Sequence, residues 1–164
     1  MSTPALKQIS PHAIPRALEL AERYRLLNEP EQAESICHDV LAIDPGNQTA
    51  TRMMLLAITD QFGHRKSATL THAREVAAQL TGEYEKFYYS GVAMERWARC
   101  KHHEPHSENL VRDWLHNAME SFEKAEAVRP HDDDSAMLRW NSCQRLLNKL
   151  PQAVEVGQTV DYGD

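Results

Sequence analysis

Cys100, His102, His103 and His106 place four metal-type donors within seven residues, with Glu104 between them and His116 further along. A thiolate and imidazoles together suit zinc or copper. The run has no second ligand pair to close a tetrahedral site. His103-Glu104-Pro105-His106 also fails to set two histidines one helical turn apart, as a hydrolytic zinc helix requires. A solvated loop is the plainer reading of the tract, and a metal-binding or metal-sensing protein using residues 100–106 is the alternative. The run Asp132, Asp133, Asp134 could chelate a hard cation, but it immediately precedes a helical pattern. Carboxylates there cap free N–H groups and favour the positive end of the helix dipole, so capping is expected. There is no glycine-rich phosphate loop, no nucleophile elbow and no Cys-His pair with a third member. Glu31 with Glu34, and Glu120 with Glu123, read as solvated carboxylates on helix faces. The expectation is a protein that is not an enzyme and needs no cofactor.

The elements that would position these residues are helical. The 164 residues are 41% hydrophobic and 26% charged, with only six glycines and no sustained two-residue alternation. This predicts an all-α chain of about seven helices and no sheet. A net charge of -6 without a basic run argues against a general nucleic-acid binder. The start, Met1-Ser-Thr-Pro-Ala-Leu-Lys, lacks the pattern of a secretory leader, and no stretch is long and apolar enough for a membrane span. A cytoplasmic location is the expectation. Cys37, Cys100 and Cys143, odd in number and each within a helical pattern, read as buried or half-buried reduced thiols.

Residues 1–10 read as a flexible lead-in, and 11–150 as one domain. Ala17, Leu20, Ala21, Tyr24 and Leu27 recur every three or four residues, and Asn28-Glu29-Pro30 breaks that helix. Ala33, Ile36, Cys37, Val40 and Leu41 mark a second helix ending before Pro45. A less regular pair follows over 48–83, with surplus residues expected in the turn around Gly63. A third pair spans 84–130, broken near Pro105, and its second helix carries a stripe of Leu110, Trp114, Ala118, Phe122 and Ala125. A solitary helix over 132–150, through Leu138, Trp140, Cys143, Leu146 and Leu147, is expected to cover the last pair. Residues 151–164 read as a disordered acidic tail.

With Ile14 as the first position of a unit of about 34 residues, eight signature positions are filled by Ala17, Leu20, Ala21, Tyr24, Ala33, Cys37, Val40 and Pro45. The spacing from Ala33 to Pro45 recurs from Ala118 to Pro130. In this the chain resembles the tetratricopeptide repeat family, as three degenerate repeats at 14–47, 48–83 and 84–130 with a capping helix. Ala17 departs from the family's usual tryptophan and Ala21 from its common glycine.

The resemblance implies a right-handed superhelical stack of antiparallel helix pairs and a protein-interaction scaffold or adaptor. In that family the first helix of each unit lines a concave groove. The groove here would carry Arg25, Arg52, Tyr88, Tyr89, Arg96, Asn141 and Arg145, beside Glu22, Thr59, Val92 and Glu95. Arginine forks and tyrosines would suit an acidic peptide or protein partner. The competing reading pairs these arginines with Glu22 and Glu95 as solvated surface ions. Leu18 and Glu22 stand where the chaperone-tail clamp of some members has Lys and Asn, which argues against that ligand.

Overall fold

The computed structural model describes residues 2–152; the expected acidic tail lies outside the described residues from 153 onward. Seven α-helices follow a short 3-10 turn at Pro11–Ala13, and there are no strands among the described residues. They are α1 (Ile14–Leu26), α2 (Pro30–Ile43), α3 (Gln48–Asp60), α4 (Leu70–Ala77), α5 (Glu83–Lys101), α6 (Glu108–Ala127) and α7 (Ser135–Leu147). None is long and apolar enough to cross a membrane.

Local chemistry sets the boundaries. At the end of α1, Asn28 takes a left-handed φ of 62°, which asparagine tolerates. That turn lets the Glu29 N–H reach the Tyr24 carbonyl at 2.8 Å and the Asn28 N–H reach Arg25 at 3.0 Å, satisfying carbonyls the helix end would leave free. Pro30 then opens α2, where a missing N–H costs nothing. Asn47 caps α3 by accepting the Ala50 N–H at 2.9 Å, and Thr69 caps α4 through His72. Of the acidic run, Asp133 accepts the Ser135 N–H at 2.9 Å, whereas Asp134 at the N-cap position makes no capping bond of its own.

Each helix packs on the next, and α1 also touches α3 while α3 touches α5, so these odd-numbered helices lie side by side. The core runs through both layers, from Ala21, Ala33 and Cys37 through Leu55 and Ile58 to Leu115, Phe122 and Cys143. Gly91 explains how closely α5 approaches α6: a Cβ there would sit 2.6 Å from the ring of fully buried Phe122. The surplus of the second pair is the 61–69 connection, as expected, with Gly63 at φ +80°.

Three stripes differ from expectation. On α6 the buried line is Val111, Leu115, Ala118, Met119, Phe122 and Ala125, whereas Leu110 is 49% exposed. Apolar residues at 110 and 111 compete for the same turn, and only packing against α5 and α7 decides between them. Leu138 on α7 is 66% exposed and Ala136 takes the core instead; Leu27 is likewise exposed. Glu34 does not face solvent. It is buried and its carboxylate accepts from Gln61 Nε2 and Arg65 Nη2, both at 2.7 Å.

Candidate functional site

The face formed by α1, α3, α5 and α7 gathers most of the arginines that the repeat resemblance singled out. At its centre stand two carboxylates, each held between two guanidinium groups. Asp60, the last residue of α3, accepts from Arg25 Nε of α1 at 2.7 Å and from Arg96 Nη1 of α5 at 2.6 Å. Arg96 also donates to Thr59 Oγ1 at 2.8 Å. Glu95, buried to 3% exposure, accepts from Arg99 Nε one turn on at 3.1 Å and from Arg139 Nη1 of α7 at 2.9 Å. A second tie from α5 to α7 runs from Arg99 Nη2 to Ser142 Oγ at 2.8 Å.

The arginines crowd one another. Burial lowers the pKa of Arg96, and the neighbouring Arg139 and Arg25 charges push the same way against the pull of Asp60. For Arg139 burial again opposes the charge, but its bond to the Tyr88 hydroxyl and the Glu95 carboxylate outweigh burial and raise its pKa.

Tyrosines line the same face. Tyr88 stacks on Tyr84 at 5.6 Å, meets Tyr89 edge-on at 5.0 Å and accepts from Arg139 Nε at 3.0 Å. Tyr89 is half-buried; burial raises its pKa and the Arg52 charge opposes that rise. Arg52 donates to Thr49 Oγ1 at 3.1 Å and has no carboxylate within ion-pair distance among the described residues. Asn141 and Arg145 are exposed on α7.

The groove assignment therefore divides. Arg52, Asn141 and Arg145 remain accessible, and Tyr88 and Tyr89 are half-buried on the same face. Arg25 and Arg96 are tied across helices by Asp60, instead of pairing with Glu22 and Glu95 along their own helices. Val92, Glu95 and Thr59, expected to face outward, are buried. Asp60 and Arg139 went unrecognised, yet a signal existed. Arg25, Asp60 and Arg96 are separated by 35 and 36 residues, a nearly constant step that sets them on α1, α3 and α5 in turn.

The tract Cys100, His102, His103, His106 forms the end of α5 and the turn to α6. Among the described residues no group of three or more His, Cys, Asp or Glu side chains is arranged to hold a metal ion. His102 and His103 are exposed with ring centroids 5.3 Å apart, and His106 sits in a left-handed turn at φ 61°. The Cys100 sulfur instead faces the 61–69 connection, lying 2.9 Å from where a Cβ on Gly63 would be.

The two layers carry opposite charge. The odd-numbered helices hold ten basic and six acidic side chains, a net of +4. The even-numbered ones hold three basic and nine acidic, a net of -6.

Comparison with family models, with curated proteins and with solved structures finds no match to this chain.

Proposed function

We propose that the chain is a tetratricopeptide-type helical-repeat protein acting as a non-catalytic interaction scaffold in a reducing, cytoplasmic setting. On this reading the odd-helix face takes an acidic segment of a partner protein. The observation that carries it is charge placement. In a protein of net charge -6, four arginines share two carboxylates on one face, and Arg52 and Arg145 add positive charge with no carboxylate partner among the described residues. Each shared carboxylate neutralises one of its two arginines, so positive charge is left over where the tyrosines offer rigid contact area. The side-by-side contacts of α1, α3 and α5 support the repeat reading.

The test uses the two accessible arginines and leaves the ion-paired ones intact. Wild-type protein, the Arg52→Glu, Arg145→Glu double variant and a Lys124→Glu control on α6 are used to capture partners from the source lysate. The retained protein's acidic segments are then titrated as labelled peptides by anisotropy. The double variant is expected to bind roughly 10-fold or more weakly, the control as wild type, and all binding to fall in about 1 M salt, where screening acts over about 3 Å. Equal retention by all three proteins, or salt-insensitive binding, would remove this face from consideration.

A further inference from the structure

A separate site is built by α4, α6, the 61–69 connection and the C-terminal half of α5. Two clefts adjoin there and share Thr69 and Trp97. One, of about 670 Å³, lies between Trp97 of α5, Trp114 of α6 and Arg74 of α4. The other, of about 430 Å³, is bordered by His64, Arg65, Lys66 and Lys101. Both volumes lie in the range of small-ligand pockets. Gly63 seats the connection against α5, because its φ of +80° and missing Cβ let the chain turn over the Cys100 sulfur. That close approach places Arg65 and Lys66 at the same cleft as Lys101.

The two clefts are rich in donors and poor in free acceptors. Trp140 donates its indole N–H to Glu123, whereas those of Trp97 and Trp114 make no hydrogen bond among the described residues. Arg65 is held by Glu34 through Nη2 at 2.7 Å, and its Nε has no acceptor. Lys66 and Arg74 form no ion pair among the described residues. On the acceptor side, Glu104 is taken by Lys101 at 2.7 Å and Thr69 Oγ1 by the His72 N–H at 3.2 Å, leaving Glu75 and the Thr71 hydroxyl on the aromatic side. Lys101 lies over the Trp97 ring at 4.7 Å, which ties the basic cleft to the aromatic one.

We infer that these adjoining clefts form one binding site for a small planar aromatic anion, with the ring against Trp97 and Trp114 and the anionic group beside His64, Arg65 and Lys66. Indole faces stack on flat rings of any identity, and Lys66 and Arg74, which have no ion pair among the described residues, favour a negative substituent on that ring. A nucleoside monophosphate and an aromatic carboxylate share this chemistry. The site owes nothing to the arginine face, and its test is independent of partner binding.

The full chain is titrated by calorimetry with adenosine monophosphate, 4-hydroxybenzoate, adenosine and inorganic phosphate, and tryptophan fluorescence is followed in parallel. Two of the three tryptophans line the site, so occupancy quenches emission. At least one aromatic anion is expected to bind saturably, with adenosine and phosphate each roughly 10-fold weaker or more. Binding of the monophosphate alone identifies the anion as phosphoryl, and binding of 4-hydroxybenzoate alone identifies it as carboxylate; either supports the site. Lys66→Glu, a surface change on the connection, is expected to weaken binding roughly 10-fold, and Trp114→Leu to weaken it while reducing the quench. Failure of both aromatic anions to bind at millimolar concentration, phosphate alone binding as tightly as the monophosphate, or unchanged affinity in Lys66→Glu would overturn the proposal.

Discussion

Replacing Asp60 with asparagine keeps the side chain's size and removes its charge, so packing is unchanged while two ion pairs are lost. The carboxylate meets Arg25 at 2.7 and 3.4 Å and Arg96 at 2.6 Å, with side-chain exposures of 24% for Asp60, 17% for Arg25 and 26% for Arg96. Fully exposed pairs contribute about 0.2–1 kcal/mol and charge-assisted bonds shielded from water about 1.5–3 kcal/mol. These two pairs lie between, at about 1 kcal/mol each, for a combined loss of about 2 kcal/mol. For a domain of this size about 2 kcal/mol lowers the melting temperature by about 4–8 °C. The amide also aims its NH2 at one of two guanidinium groups, so one arginine is left facing a donor. The second consequence has the opposite sign. Arg25 and Arg96 without their shared carboxylate make the odd-helix face more positive, so an acidic peptide that docks there is expected to bind several-fold more tightly at low salt. Calorimetric melting in low and high salt, with peptide titration beside it, measures both. An unchanged or raised melting temperature would mean that Asp60 does not join α1 to α5, and weaker peptide binding would mean that the ligand does not meet this face.

Gly91→Ala sets two effects against each other. A helix-interior alanine gains about 1 kcal/mol over glycine, but its Cβ would lie 2.6 Å from a Phe122 ring that has no space to retreat, and such overpacking costs about 1–3 kcal/mol. Net destabilisation is expected, and Phe122→Leu in the same chain is expected to relieve part of it; additive effects in a chemical-denaturation cycle would refute the contact. Burial, reinforced by Glu34 and Glu95 respectively, pushes the Cys37 and Cys143 thiols up to about 12. The unfolded thiol ionises near about 8.5, so stability is full below that pH and declines as pH rises toward the folded values. Urea midpoints across alkaline pH are expected to fall for wild type and to fall less for a Cys37→Ser, Cys143→Ser variant, and a thiol reagent at neutral pH should modify Cys100 ahead of the other two.

Much of the helical layout was legible because it depends on short-range chemistry. Pro30, Pro45 and Pro105 limit helices through the missing N–H and the restricted residue before them. Gly63 marked the loose connection between α3 and α4. The exact buried stripe was less legible where apolar residues adjoin, as at Leu110 and Val111 or Leu138 and its neighbours, because a few tens of degrees of helix rotation exchange which one is covered. Glu34 was misread for the same reason. Its burial depends on Gln61 and Arg65, 27 and 31 residues away, arriving to satisfy it.

The sequence by itself determined that this chain is helical, where most helices begin and end, and which residues supply arginine, tyrosine and thiol chemistry. Only the tertiary structure decided how those groups are used. It tied Arg25 and Arg96 to Asp60, buried Glu95 between Arg99 and Arg139, turned Cys100 toward Gly63, and separated charge into a positive odd layer and a negative even layer. Helix periodicity follows from neighbours three and four residues apart, but an ion pair between residues 35 apart exists only once the intervening chain has closed and brought the charges within reach.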